Sequence, residues 1–208
     1  MLPIGVERAV EQTDMTDAYR AFIALPLSRM VLDYLSGVQD CLSTQGIRAR
    51  WVRPEGMHLT LKFLGHLAPE KVDAVVAAVD RVAAHHAPLQ LTTLGLGAFP
   101  NISRPRVLWV GIGGQSARLG CLQQDIETGL SPLGWPKEKR PFRGHLTLAR
   151  AKGRRPFERH IGDLLAQCEP NEPVAFVADK LTLYRSHLRP EGAVYDTISQ
   201  RVMSGVAP

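Results

Sequence analysis

One tetrapeptide constrains this chain more than any other feature: His-Leu-Thr-Leu occurs twice, at His58–Leu61 and at His145–Leu148, 87 residues apart. The surroundings repeat as well. Arg20–Ile23 and Arg106–Trp109 each read as the start of an apolar strand, at an offset of 86, and each leads through a helical stretch to its tetrapeptide. Identical short strings in equivalent places point to an internal duplication. In a strand, successive side chains face opposite ways, so His58 and Thr60 share one face and Leu59 and Leu61 the other. The same holds for His145 and Thr147 against Leu146 and Leu148. Each motif strand is therefore anchored by two leucines and presents an imidazole and a hydroxyl.

The rest of the chain reads as interleaved helices and strands. Residues 1–18 are polar and aperiodic, an N-terminal extension expected to be loosely ordered, and 19–208 read as one unit. Ser28 is the expected N-cap of a helix carrying Met30, Val31, Tyr34, Leu35 and Val38. Pro69 opens a second helix with Val72, Val75, Val76, Val79 and Val82. A third carries Leu119, Leu122, Ile126 and Leu130, and a fourth Phe157, Ile161, Leu164, Leu165 and Cys168. Strands are expected around 21–25, 57–64, 89–97, 106–112, 144–149, 174–184 and 193–199. Strand pairs between the helices favour α+β over a doubly wound parallel sheet.

Two imidazoles and two hydroxyls brought into one cleft by a pseudo-two-fold axis suit acid–base chemistry on a phosphodiester. Histidine titrates near pH ~6.5, so one ring can take a proton from the nucleophile while the other gives one to the leaving oxygen. In-line displacement needs those groups on opposite sides of phosphorus. Thr60 and Thr147 can donate to the non-bridging oxygens. Neither motif has a second His, Cys or carboxylate in register, which argues against zinc. The two motifs are chemically alike, so the residues leave open which histidine is acid and which is base.

The paired His-x-Thr-x motifs resemble the signature of the 2H phosphoesterase superfamily. Their context, RAFIAL at 20–25, WVRPEGMHLTLKFLG at 51–65, RPRVLW at 104–109, RPFRGHLTLAR at 140–150 and LYRS at 183–186, is similar to the bacterial RNA 2′,3′-cyclic phosphodiesterases, also called 2′-5′ RNA ligases. The resemblance covers roughly residues 20–200. It implies a bilobal α+β fold, with two antiparallel sheets facing a central cleft and helices outside. It also implies opening of RNA or nucleotide 2′,3′-cyclic phosphate ends to 2′-phosphomonoesters, without metal or cofactor. On that footing His58 would protonate the departing 3′ oxygen, His145 would activate water, and Thr60 and Thr147 would hold phosphate oxygens. Arg150 would add a charged donor; strict alternation puts it on the leucine face, opposite His145, and its reach and a bend at the strand end would reconcile the two. The alternatives are a binding module that holds RNA in the same cleft, and 2′-5′ ligation as the reverse reaction.

Charge and cysteine usage supply the remaining expectations. Of the net +5, the segment Lys137–Arg159 carries nine cations against two anions, so the remainder is slightly acidic. Clustered cations beside the second motif suit an RNA partner. No apolar run approaches the ~20 residues of a membrane helix. The first residues lack a signal-peptide pattern, and no obligate protein partner is implied. Cys41, Cys121 and Cys168 are far apart and odd in number, which predicts reduced thiols and a cytoplasmic setting. Lys62 and His66 share the parity of His58 and would reach the cleft rim, with a surface role as the alternative. Trp51 and Phe142 are candidates for stacking on a base, with core packing as the alternative. Gly111-Ile-Gly113-Gly114-Gln-Ser116 departs from a dinucleotide loop at its third glycine and reads as a tight strand-to-helix turn. His85 and His86 end the second helix, where the dipole favours a cation. His160 and His187 carry no signal.

Overall fold

The computed structural model describes residues 18–153, 156–157, 160–170, 172–189 and 192–206. Nearly all of the expected N-terminal extension, together with Arg154, Arg155, Glu158 and Arg159 of the basic segment, lies outside the described residues.

Each half is built around the same unit. In the first, strand β1 (Tyr19–Leu25) leads into helix α1 (Arg29–Thr44), the short strand β2 (Ala49–Trp51) and the motif strand β3 (Leu59–Leu67). Helix α2 (Val72–His85) and strand β4 (Leu89–Phe99) follow. In the second half, β5 (Val107–Gly114) leads through α3 (Ser116–Leu130) to the motif strand β6 (His145–Ala151). Helix α4 (Ile161–Gln167) and strands β7 (Ala175–Ala178), β8 (Lys180–Arg189) and β9 (Gly192–Val202) complete the chain.

The strands form one antiparallel sheet in the order β7-β4-β5-β6-β3-β1-β8-β9, with β2 on β6. It divides into two four-stranded lobes, β9-β8-β1-β3 and β6-β5-β4-β7, joined where β3 meets β6. β1 pairs with β3 as β5 pairs with β6, which makes the repeat visible in the backbone. The two expected sheets are thus halves of one sheet, and the motif strands form their seam.

Packing follows the sequence pattern with informative departures. Val31, Leu35, Val38 and Leu42 form the buried stripe of α1, while Met30 lies outside it and is exposed. Ser28 stands at the N-cap but makes no side-chain cap bond. Pro69 opens a 3₁₀ turn that precedes α2. The single strand expected over 174–184 is two strands in different lobes, because the chain crosses from β7 to β8 at Asp179. Asp179 and Lys180 mark the crossover in the sequence, as the polar break between the two apolar strands. The strand β2 is too short to show any periodicity.

The cysteines correct the expectation of reduced thiols. Cys41, near the end of α1, is disulfide-bonded to Cys168, the C-cap of α4, and only Cys121 is free. Their separation of 127 residues hid the pair, since folding brings the two helix ends to a Cα–Cα distance of 5.8 Å. Among the described residues, no helix is long and apolar enough to cross a membrane.

Candidate active site

The two motifs are neighbours in the sheet. β3 and β6 meet at the pair Leu59↔Leu146, and antiparallel continuation sets His58 opposite Thr147 and Thr60 opposite His145. All four motif leucines are buried, and the four polar side chains are half-buried on the other face.

Each imidazole is pinned by the carbonyl two residues before it. His145 Nδ1–H donates to the Arg143 carbonyl at 2.8 Å, and a ring N–H of His58 donates to the carbonyl of Gly56. Gly56 and Arg143 are themselves 87 residues apart, so the duplication extends to the clamp. A carbonyl can only accept, which leaves Nε2 of His145 free for chemistry.

The rings sit in different aromatic settings. His58 stacks on Phe22 at 4.5 Å and meets the edge of Tyr195 at 5.2 Å. His145 meets Phe99 edge-on at 4.9 Å and Trp109 at 6.4 Å. Burial lowers the pKa of His58 to about 4, the Gly56 bond opposes this, and the charges of Arg150 and His145 add to it. His145 is lowered from 6.5 for the same reasons: burial first, then Arg150, against the Arg143 bond. Burial also raises Tyr195, against the pull of Arg150 and Arg20.

Arg150 reaches this face through a bulge. The β5–β6 ladder steps from Leu108↔Ala149 to Trp109↔Thr147 and passes over Leu148. An extra residue reverses the alternation beyond it. Leu148 and Ala149 both turn inward, and Arg150 emerges exposed on the histidine side. The Leu148 carbonyl accepts from the Val52 N–H at 2.9 Å and from Gln39 Nε2 at 2.7 Å. The same Gln39 amide donates to the Val52 carbonyl at 2.9 Å, which ties α1 to the bulge. Strict alternation therefore misplaced Arg150.

A cavity of about 800 Å³ opens beside the motifs. Its walls include Arg150 and the Phe22 and Tyr195 rings that pack on His58, though none of the four motif residues. Its cations are Arg20, Arg50, Arg53, Arg150 and Arg189. Lys137, Lys139 and Arg140 instead line a separate cavity of about 740 Å³ against α3. Of the described part of the basic segment, only Arg150 lines the cavity beside the motifs. Sequence proximity to the second motif was thus a poor guide to where charge meets the site, and Arg20, Arg50, Arg53 and Arg189 were not foreseen.

The remaining candidates separate cleanly. A second bulge, at Leu61, turns Lys62 inward, where it is 3% exposed and ion-paired with Glu127 at 2.6 Å. Lys62 also donates to the Pro136 carbonyl at 2.7 Å, so its expected place on the cleft rim is wrong. His66 is exposed, Trp51 lines the larger cavity, and Phe142 lines the one against α3. Gly111 and Gly114 serve packing, since a Cβ on them would meet the Leu94 carbonyl at 2.6 Å and the Gln90 carbonyl at 2.7 Å. His85 and His86 close α2 with bonds to the Arg81 carbonyl and the Asp125 carboxylate. His187 pairs with Asp196. Among the described residues no group of three His, Cys, Asp or Glu is assembled as a metal site.

Duplicated strand–helix–strand units that place two His-x-Thr-x strands side by side define a class of two-histidine fold, and comparison with known proteins agrees. Residues 46–190 match the model of the 2′-5′ RNA ligase superfamily, and the chain belongs to that family. An RNA 2′,3′-cyclic phosphodiesterase of Methanothermobacter thermautotrophicus is 30% identical over 176 residues, 85% of this chain and 94% of that protein. One of Aeropyrum pernix is 33% identical over 165 residues, 79% and 92% of the two chains. A protein of Thermus thermophilus superposes with a TM-score of 0.70 at 29% identity, over 89% of this chain and 98% of that one. E. coli LigT, crystallised with 3′-AMP, shares the fold at a TM-score of 0.71 and 22% identity, over 90% and 99%.

Proposed function

We propose that this chain is a hydrolase that opens 2′,3′-cyclic phosphate ends of RNA or nucleotides to 2′-phosphomonoesters by metal-independent two-histidine catalysis. The observation that carries the reading is the pair of clamped imidazoles on adjacent strands, with the charge of Arg150 felt by both. The names of the relatives support it. One imidazole accepts a proton from water as the oxygen attacks phosphorus; the other, as imidazolium, gives its proton to the departing 3′ oxygen. We assign the second role to His58 and the first to His145. Thr60, Thr147 and Arg150 hold the non-bridging oxygens, where charge accumulates.

Burial and Arg150 hold both imidazoles neutral near pH 7, so the acid must be charged during binding. An anionic phosphate beside Arg150 offsets the cation that depresses them, and raises the proton affinity of the ring it touches. With the 5′-hydroxyl of a second RNA end attacking in place of water, the same displacement breaks the bond to the 3′ oxygen and forms a 2′-5′ linkage. The reading places the enzyme in the cytoplasm with its RNA substrate. The Cys41–Cys168 bond is the feature that pulls the other way, and thiol counting on protein from intact cells decides the point.

The test is incubation of a short RNA bearing a 2′,3′-cyclic phosphate with the protein in EDTA, followed by separation of 2′ from 3′ products. A 2′-phosphate is the expected result. A 3′-phosphate would reverse the leaving-group assignment, and an end group unchanged after prolonged incubation would leave the binding module as the better reading.

A further inference from the structure

His58 and His145 share a motif and a clamp, but only one of them stands beside a phenol. Tyr195 of β9 meets the His58 ring edge-on at 5.2 Å and the Phe22 ring at 5.0 Å. It also packs over the clamp: a Cβ on Gly56, whose carbonyl holds His58, would stand 3.5 Å from Cε2 of Tyr195. In the second lobe β7 takes the place that β9 has in the first, at the outer edge of its four strands. β7 reads Ala175-Phe176-Val177-Ala178, and the rings beside His145 are Phe99 and Trp109. None of these carries a hydroxyl.

Tyr195 is half-buried and lines the cavity of about 800 Å³ together with Arg20 and Arg150. Its hydroxyl makes no hydrogen bond to any described residue, and neither arginine has a carboxylate partner among them. The charges of Arg150 and Arg20 both reach the phenol, but burial outweighs them and raises its pKa. The hydroxyl therefore keeps its proton and is left to donate it to an acceptor from outside. An idle O–H donor beside two uncompensated guanidinium groups suits an anionic oxygen.

We propose that Tyr195 is a further catalytic residue, whose O–H donates to the non-bridging phosphate oxygen on the His58 side, next to Arg150. This rests on the cyclic-phosphate reading and deepens it. The ring that packs on His58 brings a hydroxyl to a point where the second lobe offers none, so the two non-bridging oxygens are held unequally. The two identical motifs cannot make that distinction. The donor works on charge that gathers as water attacks, so its worth appears in the transition state more than in substrate binding.

The experiment uses Tyr195→Phe, which keeps the ring on His58 and Gly56 and removes only the hydroxyl. Its substrates are a nucleoside 2′,3′-cyclic phosphate and the two diastereomers of the cyclic phosphorothioate. These put sulfur, a poor acceptor, at one non-bridging position or the other. On the oxygen substrate kcat is expected to fall about 10- to 150-fold, the worth of a hydrogen bond to a charged group, with KM changed less than about threefold. The same loss should appear on one phosphorothioate. On the other, where sulfur already occupies the accepting position, it should shrink to less than about threefold. An unchanged kcat on the oxygen substrate would overturn the assignment. Equal losses on both phosphorothioates would overturn it too, because the hydroxyl would then act through the His58 ring. Calorimetric binding of a nucleoside 2′-monophosphate, doubly charged above a pKa of about 6, reads the contact without turnover. Tyr195→Phe should weaken that binding about tenfold or more. A wild type that binds this ligand but turns over no cyclic phosphate would sink the hydrolase reading alone, and equal binding by the variant would sink the Tyr195 contact alone. Matching thermal unfolding curves check that the variant keeps the fold.

Discussion

The two motif strands begin identically and diverge after four residues. β3 continues Lys62-Phe63, and β6 continues Ala149-Arg150. The backbone is the conserved part of the design: both strands bulge at the last leucine, and both clamp the histidine to the carbonyl two residues back. The side chains beyond the bulge are where the lobes specialise. In the first lobe the inward residue is a lysine committed to a buried ion pair, and in the second it is an alanine in plain apolar packing. A duplicated scaffold thus supplies two similar imidazoles, and the asymmetry needed to tell acid from base comes from what surrounds them.

The largest effects come from the shared part. His58→Ala and His145→Ala are each expected to lower kcat/KM for a cyclic nucleotide by roughly 10²- to 10⁴-fold, the usual worth of a positioned acid or base. The double variant should lose little more than the worse single one, because the two groups act in one step. Full turnover in either single variant would remove that histidine from the chemistry and with it the equivalence of the two strands.

Arg150 breaks the symmetry, and its removal should show on two scales. Arg150→Ala is expected to cost about 10²- to 10³-fold in kcat, as for loss of one preorganised donor to a developing anion. It should also move the acid limb of the kcat/KM profile. Burial depresses both imidazoles first, and Arg150 depresses them further. Without that cation each ring keeps its proton to higher pH, so the limb must shift upward while remaining below the ordinary histidine value. A downward shift, or none alongside a full kcat loss, would mean that the guanidinium does not face the imidazoles.

How much of this could be read from residues alone depends on where alternation holds. Through His58–Leu61 and His145–Leu148 it holds, and the faces of all eight motif residues follow from period two. One residue later it fails in both strands. A bulge is set by the partner ladder and by hydrogen bonds from outside the strand, and no pattern in β3 or β6 announces it. That one failure misplaces Lys62, which is neither on the cleft rim nor at the surface, and makes the expected place of Arg150 in the site depend on a bend at the strand end, which the bulge supplies. The arginines from β1, β2 and the β8–β9 hairpin escaped for another reason. They come together only when distant strands close into one sheet, whereas the dense basic segment between Lys137 and Arg159 drew attention by being contiguous.

The smallest expected effect tests the bulge itself. Gln39 on α1 bridges the carbonyls of Leu148 and Val52 with a single amide, although Val52 N–H also holds Leu148. Gln39→Leu keeps the bulk and removes the donor, so the bulge loosens without losing its second bond. Arg150 should then spend part of its time off the histidine face, with kcat down about five- to tenfold, as for loss of one net hydrogen bond of roughly 1 kcal/mol. The acid limb should move upward, in the same direction as for Arg150→Ala and by less. A double-mutant cycle separates this from a general loosening of α1, because two residues acting through one geometry cannot cost twice. In an Arg150→Ala background, Gln39→Leu should change kcat by less than twofold. A fully additive loss there would mean that Gln39 supports the helix alone, and that the bulge in the second lobe needs no more help than the one in the first.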